Sequence, residues 1–120
     1  MKKILIGILI IFGFSFNVFA ERYFAEVKNN EVQRVIVADT KEWCEQYLGG
    51  VWVETFINNS SKNYAGKGSL YLPDKNDFCG EKPYPSWKLN TKNHWEAPKL
   101  MPQDGKLYRW NESIQNWDEK

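Results

Sequence analysis

The residues best suited to chemistry in this chain are aromatic and lie near its C-terminus: Trp87, Trp95, Tyr108, Trp110 and Trp117, with Arg109 among them. Exposed indole and phenol rings make platforms on which sugar rings stack. Asn90, Arg109 and Asn111 stand close by in sequence to bond the hydroxyls. The same rings also suit a second role, as the core or cross-strand clamps of hairpins too short to fold without them. Size favours that second role, because a domain this small needs most of its large apolar groups inside.

Other reactive groups are scattered. His94 is the only histidine. With Cys44 or Cys79 it would make a thiol–imidazole pair, but no local motif supports one, so an exposed or locally bonded imidazole is expected. One histidine and two cysteines at these spacings do not make a compact four-ligand zinc set. Asp74, Asp77, Glu81, Glu96, Asp104 and Glu112 could supply the carboxylate pair of a glycoside hydrolase. Acidic residues are ordinary in turns, however, and Asp74 and Asp104 sit in Pro- and Gly-containing stretches where Asp bonds its own backbone. Residues 73–77 lack the ligand spacing of a calcium loop. Residues 63–68 are glycine-punctuated but no Lys-Ser/Thr opens a helix after them, so they read as a turn. The sequence thus points to no catalytic set, no metal and no cofactor.

The elements that would position these residues are short. Residues 23–27 and 32–37 are β-favouring runs around Lys28-Asn29-Asn30-Glu31, and an Asn pair supplies positive φ, which predicts an antiparallel hairpin. Asp39 is placed to cap a helix, with Glu42 returning the bond of a capping box. Trp43, Cys44, Tyr47 and Leu48 fall on one face, and Gly49-Gly50 ends the helix. Residues 51–57 read as a further strand. Residues 58–85 are the least regular part, with a short strand expected at 69–72 and a turn at 73–77. Beyond them, 86–90 and 94–98 flank the turn 91–93, and 106–110 and 115–118 flank 111–114. Each unit holds a Trp, a polar turn and a second Trp, which predicts two hairpins whose paired indoles face across the strands. The expected fold is α+β, mainly antiparallel β with one short helix and C-terminal Trp-bearing β-hairpins.

Residues 1–20 read as a secretory signal peptide, with Lys2 and Lys3 before an uncharged apolar run and Val18-Phe19-Ala20 at the cleavage position. Residues 21–120 are then one small β-rich domain, 21–85 its α+β part and 86–120 the two aromatic hairpins. Cleavage would lower the basic count from 16 to 14 against 15 acidic residues, close to neutral. That balance offers no basic stripe for nucleic acid. No membrane anchor is expected to remain, and the protein is placed in the periplasm or outside the cell. In that compartment Cys44 and Cys79 suggest a disulfide, which would stabilise by about 4 kcal/mol.

Four segments carry a resemblance: YFAEVKNNEVQRVIVAD at 23–39, NYAGKG at 63–68, KPYPSWKLNTKNHWEAP at 82–98 and PQDGKLYRWNESIQNWDE at 102–119. In these the chain resembles small tail- or virion-associated accessory proteins of marine bacteriophages, cyanophage-like in type. The resemblance implies a phage-encoded accessory or virion protein and transfers no catalytic residues. The leader departs from that pattern, because a subunit assembled in the host cytoplasm needs none. The sequence therefore supports an exported, non-enzymatic accessory protein that binds or assembles through aromatic hairpin surfaces, with another protein or an envelope glycan as partner. A virion or tail structural protein is the alternative, and a small envelope polysaccharide hydrolase is a third.

Overall fold

The chain turns first at Asn29 and Asn30, and both sit in the left-handed region (φ 54° and 62°). Two consecutive left-handed residues match the right-handed twist of the flanking strands, and Asn tolerates that conformation at low cost. The turn locks β1 (Tyr23–Lys28) against β2 (Glu31–Val37) with Lys28 opposite Glu31. The computed structural model describes residues 21–120, so the signal-peptide reading of 1–20 lies outside the described residues.

A helix, α1 (Lys41–Leu48), follows, then β3 (Val51–Thr55), which pairs antiparallel with the other side of β1. The helix cap differs from expectation by one residue. Thr40, in extended conformation, accepts the Trp43 N–H at 3.0 Å. Asp39 instead presents its carbonyl to Arg22 Nη1 at 2.9 Å. Glu42 stays in the first turn, where its charge favours the helix dipole. The apolar face is also narrower than the spacing suggests. Cys44 is fully buried and Trp43 partly, whereas Tyr47 and Leu48 are 47% and 41% exposed. Gly49 (φ 71°) ends the helix, and its carbonyl accepts the Trp52 indole N–H at 2.7 Å. One bond thus satisfies a buried donor and ties the helix end to β3.

Strand β1 lies inside the sheet and both of its faces are covered. Phe24 packs with Trp52 and Cys44 under the helix, while Ala25, Val27, Val32, Ala65 and Phe78 form a second cluster on the opposite face. Burying side chains as large as Trp52 and Phe24 stabilises by about 2–3 kcal/mol each. Around the first cluster the Arg22 guanidinium lies 5.2 Å from the Phe24 ring centroid and bonds Glu54 through two nitrogens. The second cluster is closed by the returning chain. Thr55, 2% exposed, accepts the Ala65 N–H at 2.8 Å. Backbone bonds then run the chain beside β2 into β4 (Leu70–Leu72) and β5 (Asp77–Cys79). The sheet order is β3-β1-β2-β4-β5. Strand β4 meets the sequence expectation. Strand β5 does not, because Asp77, read there as part of a turn, begins it.

Two separate two-stranded hairpins follow: β6 (Lys88–Leu89) with β7 (Trp95–Glu96), and β8 (Tyr108–Asn111) with β9 (Asn116–Glu119). The architecture is mainly antiparallel β with one short helix among the described residues, hence α+β. None of the described helical structure is long and apolar enough to cross a membrane.

The expected disulfide is not formed. Cys44 is buried under the helix against β1 and β3, whereas Cys79 is buried on the far edge strand. That edge is three strand spacings from β1, roughly 14 Å, and a bridge needs Cα atoms within about 7 Å. Burial also pushes the Cys79 thiol up from its ordinary value, so it is a poor nucleophile for exchange.

Two outcomes follow from this packing. Thr40→Ala removes the cap and should lower unfolding free energy by about 1 kcal/mol in a urea titration. Unfolding the protein without reductant should expose two alkylatable thiols, read by mass spectrometry as two adducts; none would mean a bridge.

Candidate binding site between the C-terminal hairpins

Two-residue strands such as β6 and β7 do not hold themselves together in water, and the tryptophans supply what the backbone lacks. Trp110 and Trp117 are direct cross-strand partners, their rings 5.2 Å apart and inclined at 72°. Trp87 meets both edge-on, at 6.0 Å and 6.1 Å, and Tyr84 stacks beside it at 5.6 Å. Offset and edge-to-face pairs like these contribute about 0.5–1.5 kcal/mol each beyond burial. The three indoles therefore join β8–β9 to the segment that leads into β6.

The expected indole pairing holds in β8–β9 and fails in β6–β7. There Leu89, not Trp87, lies opposite Trp95. The cause is turn length. Asn90 and His94 are bonded through their backbones around a three-residue loop whose last residue, Asn93, is left-handed (φ 61°). This fixes a register in which Trp87 precedes the strand and is available to the next hairpin.

Trp95 has a different task. Its indole N–H donates to the Gly80 carbonyl at 2.8 Å, and the Lys82 ammonium stands 5.7 Å from its ring centroid. Trp117 repeats the device, donating to the Lys99 carbonyl at 2.8 Å. Each indole thus pins its hairpin to the connection that precedes it.

Glu112 is the polar counterpart of the indole cluster. Its carboxylate accepts the Trp110 indole N–H (2.8 Å), the Ser86 hydroxyl (2.8 Å) and the Ser86 backbone N–H (3.1 Å). The Trp110 bond foremost, with Ser86 and the charge of Lys82, holds Glu112 below the ordinary carboxylate value of 4.5. At the other end of the hairpin Tyr108 donates to Asp104 at 2.6 Å, and this bond pushes the phenol up from 10.0 to about 12. Arg109 is exposed, opposite Asp118, on the face of β8–β9 that Trp110 and Trp117 do not use.

A second polar centre joins the β6–β7 hairpin to the sheet. Asp77, 4% exposed, accepts the Asn63 backbone N–H at 2.8 Å and the Asn93 amide at 2.7 Å. The Asn63 amide nitrogen donates to the carbonyls of Phe78 and Lys92, which leaves its oxygen to face His94 Nε2 at 2.9 Å. His94 Nε2 therefore carries the proton. The lone histidine is exposed, as expected, but its bond is to a residue 31 positions away, in a network that ties residues 63, 77 and 93.

The aromatic residues do not form one flat platform. Trp87, Trp110 and Trp117 interlock, Trp110 is 4% exposed, Trp95 is held against Gly80, and Tyr108 is tied to Asp104. A groove of about 530 Å³ lies between the two hairpins, lined by none of these rings but by Ser86, Lys88, Leu89, Glu96, Ala97, Pro98 and Gln115. Of the six carboxylates singled out in the sequence, Glu96 lines it. Lys88 and Gln115 carry no motif and become visible only when the hairpins are folded together.

The lowered Glu112 value sets an acid limit. A depressed carboxylate contributes stability above its unfolded value, and the contribution is lost as pH falls through the folded one. Near-ultraviolet circular dichroism of the tryptophans should fade below pH 4.5, and Glu112→Gln should flatten that dependence. In alkali the Tyr108 contribution is complete below pH 10 and lost as pH rises through about 12. Asp104→Asn should bring this phenol's ionisation back towards 10, read as phenolate absorbance.

No family model, no curated protein and no solved structure matches the chain.

Proposed function

We propose that this protein is an exported, non-enzymatic accessory protein of phage type, and that it binds a protein partner or an envelope glycan through its C-terminal hairpins. The leader-like N-terminus and the four phage-like segments support this reading. The observation that carries it is the groove lined by residues of both hairpins. Three tryptophans and the Glu112 carboxylate fix two otherwise unstable hairpins in one relative position. Pre-organisation of that kind reduces the entropy lost on binding.

The alternative, a virion or tail structural subunit, draws on the sheet edge. Strand β3 pairs on one side only among the described strands, and Val51, Phe56 and Ile57 are exposed along or just beyond it. Its Glu54 is engaged by Arg22, so the edge carries little charge to deter pairing with another strand.

The test is retention of the purified protein on immobilised envelope polysaccharide and on envelope protein extract, together with the mass of the native N-terminus. Retention and a chain beginning at Glu21 are expected. A chain beginning at Met1 that sediments as an assembly would favour the structural subunit. Hydrolysis of the polymer, abolished by Glu96→Gln, would overturn the non-enzymatic reading.

A further inference from the structure

Most polar side chains near the groove are already engaged. Glu112 holds Ser86, Asn90 caps its own turn and bonds Glu96, and Asn111 bonds Asp118. Two groove residues are not. The Lys88 ammonium and the Gln115 carboxamide make no hydrogen bond or ion pair among the described residues. Lys88 is also the direct cross-strand partner of Glu96, with Cβ atoms about 5 Å apart by strand geometry. The two nevertheless form no ion pair. A positive and a negative group therefore stand side by side and open on one recess, next to a carboxamide that can both donate and accept. Leu89, Ala97 and Pro98 provide the apolar part of the lining.

We infer that this groove takes an uncharged, hydroxyl-rich ligand, a neutral sugar unit of an envelope glycan. The inference deepens the binding function proposed above and rests on it. A ligand of single charge gains one attraction and meets one repulsion, which nearly cancel. Hydroxyl groups avoid this, because one O–H donates to Glu96 while a neighbouring oxygen accepts from Lys88. Gln115 completes the set by bonding in both directions. The C–H face of a sugar ring packs on Leu89, Ala97 and Pro98, and a volume of about 530 Å³ lies within the range of small-molecule sites. The chemistry differs from the stacking platform expected from the sequence, since the tryptophans join the hairpins and the polar residues read the ligand.

The experiment is titration calorimetry of the full purified protein against three soluble probes: a neutral hexose and N-acetylhexosamine oligosaccharide mixture, a uronic-acid oligosaccharide, and a zwitterionic amino-sugar oligosaccharide bearing carboxylate. Lys88→Met and Gln115→Gly remove the two unengaged groups without breaking an internal bond. Glycine also suits position 115, where φ is 48°. Each variant should weaken neutral-sugar binding about tenfold, the loss of one hydrogen bond involving a polar or charged group. Arg109→Ala, on the opposite hairpin face, should bind as wild type, and the tryptophan circular dichroism of all three should be unchanged. Preference for the uronic or zwitterionic probe overturns the inference, as does unaltered neutral-sugar binding in both groove variants. If the protein binds an envelope protein and no sugar, the inference fails and the binding function stands. If it binds neither, both fail.

Discussion

The carboxylate of Glu112 is the interaction on which the C-terminal half depends. Its two oxygens reach an indole on β8 and both donors of Ser86, and so join two hairpins that share no strand pairing. Without such a clamp β6–β7, with two residues per strand, has no means of independent stability. The indole cluster gives the joint its apolar body, and the carboxylate gives it direction. Edge-to-face aromatic contacts alone tolerate several arrangements of similar energy. Three hydrogen bonds to one charged group admit far fewer.

The N-terminal half rests on a different constraint. Strand β1 is covered on both faces, so Phe24 enters one core while Ala25 and Val27 enter the other. The helix seals one core and the chain returning through Ala65 seals the other. Thr55 and Trp52 explain how a polar backbone can close over these clusters. Each supplies one side-chain bond at the point where the chain changes direction, at Ala65 and at Gly49.

Local features were legible in the sequence, and features set by long separations were not. The Asn29-Asn30 turn, the helix and the Trp110–Trp117 pair each arise from residues within about one turn or hairpin of one another, where backbone preference and spacing decide. The helix cap moved from Asp39 to Thr40 because both residue types cap well, and the engagement of Asp39 by Arg22 lies 17 positions away. The disulfide expectation rested on compartment and a count of two, neither of which carries distance. The Asp77–Asn63–Asn93–His94 network spans 14 to 31 positions, and no residue in it departs from ordinary turn composition. The groove was illegible for a related reason. Lys88 and Gln115 are unremarkable surface residues until Trp87 leaves its own hairpin for the next.

The indole bonds of Trp95 to Gly80 and of Trp117 to Lys99 have a consequence for how such a chain changes length. These bonds tie each hairpin backward, while Ser86 and Trp87 tie the earlier hairpin forward to Glu112, Trp110 and Trp117. The distal hairpin is therefore not an appendage that truncation could shed at no cost. Its loss would leave the Ser86 donors and one edge of the Trp87 ring to water and loosen the hairpin before it. Natural variation in extent should therefore keep or lose the two hairpins together.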